Sequence, residues 1–212
     1  MADDTQIGYD RVAKQYANRF IHELDYKPFD RHLLAMFAET VKGQGLVCDI
    51  GCGPGQIARY LYEHGADAMG VDLSPKMVEE ARRLNPEQRF EQADMRALPF
   101  KDGELVGITA FYSVIHIPRA DVTSVLKEFK RVLKPDGWLL LTFHIGREVR
   151  HFDEFFEQPV SLDFAFFEVR EMCSYLEDAG FTLKIITERA PYEEEHQSKR
   201  GYLLAQAKKD LN

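Results

Sequence analysis

Three glycines and three carboxylates are the residues whose types and spacing suggest chemistry. Gly51, Gly53 and Gly55 stand in Asp49-Ile50-Gly51-Cys52-Gly53-Pro54-Gly55, directly after a short apolar run and directly before a helical pattern. A glycine-rich turn in that context lets a ligand approach the backbone at a helix N-terminus. Asp72 ends the next apolar run, 21 residues past Gly51, where a carboxylate in a strand-and-helix fold reaches the two hydroxyls of a ribose. Asp94 ends a third run, in Gln92-Ala93-Asp94-Met95. There it is placed to accept from an adenine amino group while Met95 packs on the ring. Taken singly these are a tight turn, a helix cap and a solvated turn; taken together at one edge they describe a nucleoside site. Two histidines stand where a base is useful, His116 just past the fourth apolar run and His144 at the end of the fifth, although each also reads as a histidine satisfied within its own loop.

The elements that position these residues follow from how the apolar period changes along the chain. Tyr9, Val12, Ala13, Tyr16 and Phe20 recur at helical spacing, and so do Phe29, Leu33, Met36, Phe37 and Val41. Buried strands are expected at Leu46 to Ile50, Ala66 to Val71, Arg89 to Ala93, Leu105 to Tyr112 and Trp138 to Phe143. Helices alternate with them: Gln56 to His64 before Gly65, one opened by Ser74 and Pro75, and one striped by Val122, Val125, Leu126, Phe129, Val132 and Leu133 before Pro135-Asp136-Gly137. Such alternation implies a doubly wound α/β fold, with a mostly parallel sheet covered on both faces. After a helix at about Glu168 to Ala179, Phe181 to Ala190 and Gly201 to Ala207 are separated only by a short charged loop. They therefore read as an antiparallel hairpin completing seven strands.

Composition limits the partners. Of the 212 residues, 45% are apolar and 29% charged, a balance that can build a core, and the length fits one domain over residues 1–212. Within it we expect an N-terminal helical cap over 1–42 and an insertion over 145–167. Lys+Arg 27 against Asp+Glu 35 gives a net charge of -8, a field that repels nucleic acid and anionic lipid. The polar start Met1-Ala2-Asp3-Asp4-Thr5-Gln6 lacks the pattern of a signal peptide, and no apolar stretch is long enough to span a membrane. Cys48, Cys52 and Cys173 have no paired spacing, so neither a disulfide framework nor a metal site is expected, and a cytoplasmic monomer or homodimer is.

Spacing then separates the nucleoside classes. A dinucleotide fingerprint starting at Gly51 needs glycine or alanine at position 56, which is Gln56; here the third glycine comes one residue early. The pattern GxGxG preceded by Asp49, with Tyr9-Asp10-Arg11-Val12-Ala13-Lys14-Gln15-Tyr16, Gly70-Val71-Asp72-Leu73-Ser74-Pro75 and Leu133-Lys134-Pro135-Asp136-Gly137-Trp138, resembles the class I S-adenosylmethionine-dependent methyltransferases. Within them it looks most like the branch acting on small molecules such as quinone precursors. The resemblance implies a Rossmann-like seven-stranded sheet, S-adenosylmethionine as cofactor, and a small-molecule acceptor. It further implies that Gly51, Gly53 and Gly55 adjoin the methionine and ribose portions, with Asp49 near the amino group and Asp72 on the ribose. Leu73, Asp94 and Met95 would surround adenine, Phe111 and Tyr112 would border the methionine moiety, and Tyr9 and Tyr16 would face the sulfonium from a folded-over helix. A dinucleotide oxidoreductase and a nucleoside-binding regulator without turnover are the rival classes. The insertion holds Phe152, Phe155, Phe156, Phe164, Phe166 and Phe167, which suits an apolar or aromatic acceptor, with Arg147, Arg150 or His151 available to an anionic group.

Overall fold

The glycine turn, the carboxylates and the histidines are positioned by seven strands in the order β3-β2-β1-β4-β5-β9-β8. The structure, a computed structural model, describes residues 4–209, so Met1, Ala2 and Asp3 of the polar start lie outside the described residues. The strands β1 (Leu46–Ile50), β2 (Asp67–Asp72), β3 (Arg89–Gln92), β4 (Leu105–Phe111) and β5 (Leu133–His144) run parallel. The strand β9 (Arg200–Ala207) is antiparallel both to β5 and to β8 (Phe181–Arg189), inserting between them as the tail of the chain returns. The order reverses between β1 and β4, the place where open sheets of this kind leave a crevice at their carboxyl ends.

Helices α2 (Pro28–Val41) and α3 (Gln56–Glu63) bury Leu34, Phe37 and Leu61 against one face, while α5 (Arg119–Val132) and α6 (Val169–Asp178) bury Leu126, Phe129 and Met172 against the other. Their boundaries follow the punctuation of the sequence. Pro28 and Pro75 occupy first turns, and the Ser74 hydroxyl accepts from Met77 N at 3.1 Å to open α4 (Pro75–Leu84). Glu168 and Glu171 form a reciprocal capping box for α6. The other expected strands agree to within one residue at either end, and β5 departs further: it begins at Leu133 rather than Trp138, because Leu133 already pairs with Leu105 and the sheet resumes beyond Asp136 at φ 63°.

The expected insertion has its own architecture. Val149–Phe155 and Gln158–Ala165 form a separate antiparallel pair, β6 and β7, joined by Phe156 and Glu157. Helix α1 (Asp4–Phe20) lies between α4 and β7. Asp10 Oδ1 accepts from the Ser74 hydroxyl at 2.6 Å and from Lys76 N at 3.2 Å, and Arg11 donates to the Pro159 carbonyl at 2.8 Å. The inner face of α1 and the hairpin share a small core of Val12, Val160 and Leu162, ringed by Tyr9, Tyr16, Phe152, Phe155, Phe156 and Phe164. Phe166 and Phe167 are buried instead beneath the hairpin, against His144 and Phe143. Four of the six phenylalanines therefore pack the cap, and the other two pack against the end of β5.

Candidate functional site

A cavity of about 560 Å³ opens at the carboxyl ends of β1, β2 and β4, bordered by the first turns of α1 above and by Val149, Ser161, Asp163 and Ala165 of the hairpin at one end. Gly51, Gly53, Asp72, Leu73, Asp94, Met95, Phe111, Tyr112, Tyr9, Tyr16 and His116 all line it. Three expected residues do not line it. Asp49 lies beneath the turn, Gly55 faces Phe90 and Asn85 as the left-handed cap of α3, and His144 sits behind Tyr112. None of the six insertion phenylalanines reaches the cavity.

The glycine turn is folded so that it keeps its own hydrogen-bond donors. Gly51 N and Cys52 N both donate to the Val71 carbonyl, at 2.8 and 3.0 Å, Gly53 N donates to Asp72 Oδ2 at 2.9 Å, and Gly55 N donates to the Cys52 carbonyl at 2.9 Å. Pro54 has none. The turn therefore offers a ligand a smooth, close backbone surface rather than the cluster of free N–H groups that cradles a pyrophosphate. Gly51, at φ 72°, is also where a side chain is excluded: a Cβ would stand 2.3 Å from that of Ser113.

The carboxylates differ in their readiness to bind. Asp72 accepts from Gly53 N and from Ser74 N, each at 2.9 Å, and burial lifts its pKa to about 6 despite those donors. Asp49 is 2% exposed; its Oδ1 accepts from the Thr109 hydroxyl at 2.7 Å, while Oδ2 is buried without a partner, as is Ser113 Oγ. Burial pushes Asp49 up to about 7. A buried carboxylate with an empty lone pair beside a cavity is suited to a cationic or N–H donor. Asp94 is held differently, clamped by the Arg96 guanidinium at 2.7 Å and by Arg96 N at 2.9 Å, which keep its pKa below the usual range in spite of partial burial. Its expected role as acceptor for an adenine amino group thus competes with Arg96, which sequence reasoning did not single out.

At the end of β4 the chain turns through Tyr112 at φ 54°, a left-handed conformation for a bulky residue, with its N–H on Thr142. That turn brings Phe111, Tyr112, Ser113 and His116 to the cavity together. Tyr9 Oη lies 2.8 Å from His116 Nε2, and His116 Nδ1 lies 3.0 Å from the Asp163 carbonyl. Tyr9 and Tyr16 meet edge to face at 5.7 Å, and burial raises both phenols well above their ordinary values. His144 stacks on Phe166 at 5.0 Å and shares a hydrogen bond with the Ser198 hydroxyl; burial, then Arg200 and His196, depress it to about 3. Burial favours its neutral form, and of the two expected histidines only His116 lines the cavity.

The expected anion-orienting residues are occupied. Arg147 pairs with Glu168 at 2.7 Å, Arg150 with Glu148 at 2.9 Å, and His151 with Asp163 at 2.7 Å. Arg119, which does line the cavity, is held by Glu171 at 3.0 Å and by the Arg147 and Phe166 carbonyls. Nothing in the local sequence around Ser113, Arg119 or Asp163 signalled their convergence, because each comes from a different element.

Residues 47–137 match the family model described as a methyltransferase domain. The chain is 37% identical over 131 residues to the uncharacterized methyltransferase YcgJ of Bacillus subtilis, covering 59% of this chain and 51% of that protein. It is 30% identical over 146 residues to the uncharacterized methyltransferase sll0829 of Synechocystis, covering 65% of this chain and 66% of that one. The chain thus spans about half the length of the first of these relatives. Magnesium protoporphyrin IX methyltransferase from Synechocystis, solved with bound S-adenosylmethionine, shares the fold at a TM-score of 0.71 and 20% identity, with 98% of each chain covered.

Proposed function

Since the chain belongs to the class I S-adenosylmethionine-dependent methyltransferases, we propose that it moves a methyl group from S-adenosylmethionine to a small molecule enclosed in the cavity described above. The observation that carries this reading is the spent set of glycine-turn N–H groups beside the buried Asp49 and the half-buried Asp72. A turn without free donors fits a nucleoside that bears no phosphate, whereas a dinucleotide needs those donors for its pyrophosphate. Asp72 keeps lone pairs for ribose hydroxyls, the unpartnered Asp49 Oδ2 beneath the turn favours a positive charge above it, and Leu73, Met95, Phe111 and Tyr112 supply apolar and aromatic surface.

Bound S-adenosylmethionine supplies a methyl group on a sulfonium, activated for in-line displacement. The chain's share of that chemistry is alignment and exclusion of water. Tyr9 and Tyr16 cover the cavity from α1 with their rings, and the hairpin closes its far side. The acceptor end combines Ile117, Val149 and Ala165 with His116, Ser161 and Asp163, which supports an acceptor with an apolar or aromatic body and a polar handle. The net charge of -8 opposes polyphosphate acceptors such as nucleic acid. Thermal shift tests the cofactor: S-adenosylhomocysteine is expected to raise the melting temperature and NADH to leave it unchanged. The opposite pattern would end the reading, and a screen of methyl acceptors separates an enzyme from a nucleoside-binding regulator.

A further inference from the structure

The contact between the covering helix and the loop after β4 is more specific than packing requires. His116 Nδ1 faces the Asp163 backbone carbonyl at 3.0 Å, and a carbonyl oxygen only accepts. In the neutral ring the proton therefore sits on Nδ1, which leaves Nε2 as an acceptor, and the Tyr9 hydroxyl 2.8 Å away must donate to it. The hydroxyl, 107 residues distant along the chain, reaches His116 only when α1 is folded over the cavity. Both groups line that cavity with Tyr16, Asp72 and Ser113.

We propose that Tyr9 and His116 act as one proton acceptor, and that the molecule methylated is one carrying a proton on its attacking atom, a hydroxyl or an amine, rather than a carboxylate. The inference rests on the methyl-transfer reading. A lone pair on the acceptor's oxygen or nitrogen forms the new bond to the methyl carbon as the carbon–sulfur bond breaks and its electron pair returns to sulfur. The acceptor's proton passes to Tyr9 Oη, and the Tyr9 proton passes to His116 Nε2, leaving an imidazolium whose Nδ1–H still rests on the Asp163 carbonyl. Burial, then Tyr16 and Asp72, hold the Tyr9 phenol far above its ordinary pKa, so it serves by passing a proton and not as a phenolate. Such a device has no use for a carboxylate acceptor, which needs no base. The surrounding charges agree: Asp72 and Asp163 line the cavity, and its arginines are engaged, Arg96 by Asp94 and Arg119 by Glu171.

Two measurements on the full chain test this. The first is nitrogen NMR of the histidine side chains with S-adenosylhomocysteine bound, in the wild type and in Tyr9→Phe, where Phe keeps the ring and removes only the hydroxyl. The expected result is an Nδ1-protonated His116 whose Nε2 resonance moves when the hydroxyl is lost. An Nε2-protonated ring, or a resonance indifferent to the substitution, overturns the proposal whatever the activity. The second is methyl transfer from S-adenosylmethionine to phenol, benzylamine and benzoate across pH. Phenol or benzylamine is expected to be methylated faster than benzoate, with kcat lowered roughly 10²- to 10³-fold in both Tyr9→Phe and His116→Asn, the double variant falling no further. The acid limb of the profile, set by His116 among Tyr9, Tyr16, Asp72, Asp163 with its partner His151, and Arg119, disappears in His116→Asn. Faster methylation of benzoate, or an unchanged kcat in both variants, overturns the proposal. If none of the three probes turns over, the tautomer decides. S-adenosylhomocysteine affinity, read on the same samples, separates failure of this inference from failure of the cofactor reading: Tyr9→Phe should leave it within about twofold, and absence of binding in the wild type would remove the reading on which the inference stands.

Discussion

At the scale of single residues, the raised pKa values of the buried Asp49 and the half-buried Asp72 should make cofactor binding a proton-linked event, on the proposed reading that both meet the cofactor. In the ligand-free protein Asp49 titrates near about 7 and Asp72 near about 6, both lifted chiefly by burial. An ammonium beside Asp49 and hydroxyl donors on Asp72 favour the charged forms, so binding near pH 6.5 should expel protons and affinity should rise with pH, levelling off above about pH 8. Calorimetry with S-adenosylhomocysteine in buffers of different ionisation heat checks this; an affinity flat from pH 5.5 to 8 would show that neither carboxylate meets the ligand. The same raised values act on stability with the opposite trend. Their contribution is fully present below the usual carboxylate range, near about 4, and is lost as pH rises through about 7, so these two groups favour a mildly acidic pH for the ligand-free protein. Asp72→Ala should weaken S-adenosylhomocysteine binding by roughly 1.5–3 kcal/mol, the range for hydrogen bonds to a charged group. Unchanged affinity in a folded variant would restrict Asp72 to bracing Gly53 and Ser74.

At the scale of elements, one feature belongs to the cap and a second ties α2 to the C-terminal strands of the sheet. The hairpin β6–β7 turns through Phe156 at φ 50° and Glu157 at φ 59°, a geometry that normally selects Asn-Gly. Phe156 is retained because its ring packs between Tyr16 and Phe20, at 6.2 Å from each, whereas Glu157 is exposed. Glu157→Gly should therefore stabilise the protein by about 0.5–1 kcal/mol in urea unfolding, by relieving a left-handed residue that gains nothing from its side chain. The second feature is a buried ion network joining α2 to the C-terminal strands. Arg189 meets Asp30 at 3.2 Å, Glu195 at 2.7 Å and the Tyr202 hydroxyl at 2.7 Å, and Asp30 and Tyr202 are about 1% exposed. Arg189→Met should cost about 3–5 kcal/mol, because it leaves Asp30 and Glu195 buried with too few cations. A urea midpoint shifted by less than a third of that would show the network to be open to water.

At the scale of the whole molecule, α1 and the hairpin form one cap with its own small core, set on a sheet whose cores lie elsewhere. Filling the cavity beneath that cap should slow amide exchange in Asp4–Phe20 and Val149–Ala165 more than in β1, β4 or β5, as exchange mass spectrometry with and without S-adenosylhomocysteine would read. Equal exchange in both states would make the cap a fixed wall. The sheet was legible from sequence because its strands are short apolar runs punctuated by Gly65, Ser74-Pro75 and Pro135-Asp136-Gly137, signals that lie within a few residues of the elements they bound. The spacing of Gly51 and Gly53 and the places of Asp72 at the end of β2 and Asp94 just past β3 are local in the same sense, so this part of the cavity edge could be named in advance, whereas Gly55 turned away from it. The hairpin was not legible: its turn lacks the Asn-Gly signal, and an irregularity between Phe152 and Glu154 breaks the alternation of its faces. Periodicity identified the insertion's phenylalanines as apolar but could not say which apolar surface they would meet: α1 took four of them and the end of β5 took Phe166 and Phe167, instead of the cavity. The chain by itself determined which residues stand at the ends of strands. Only the tertiary structure decided that the glycine turn consumes its own donors, that Arg96 claims Asp94, and that Tyr9 closes on His116, because each is a contact between distant segments whose partner no local pattern specifies.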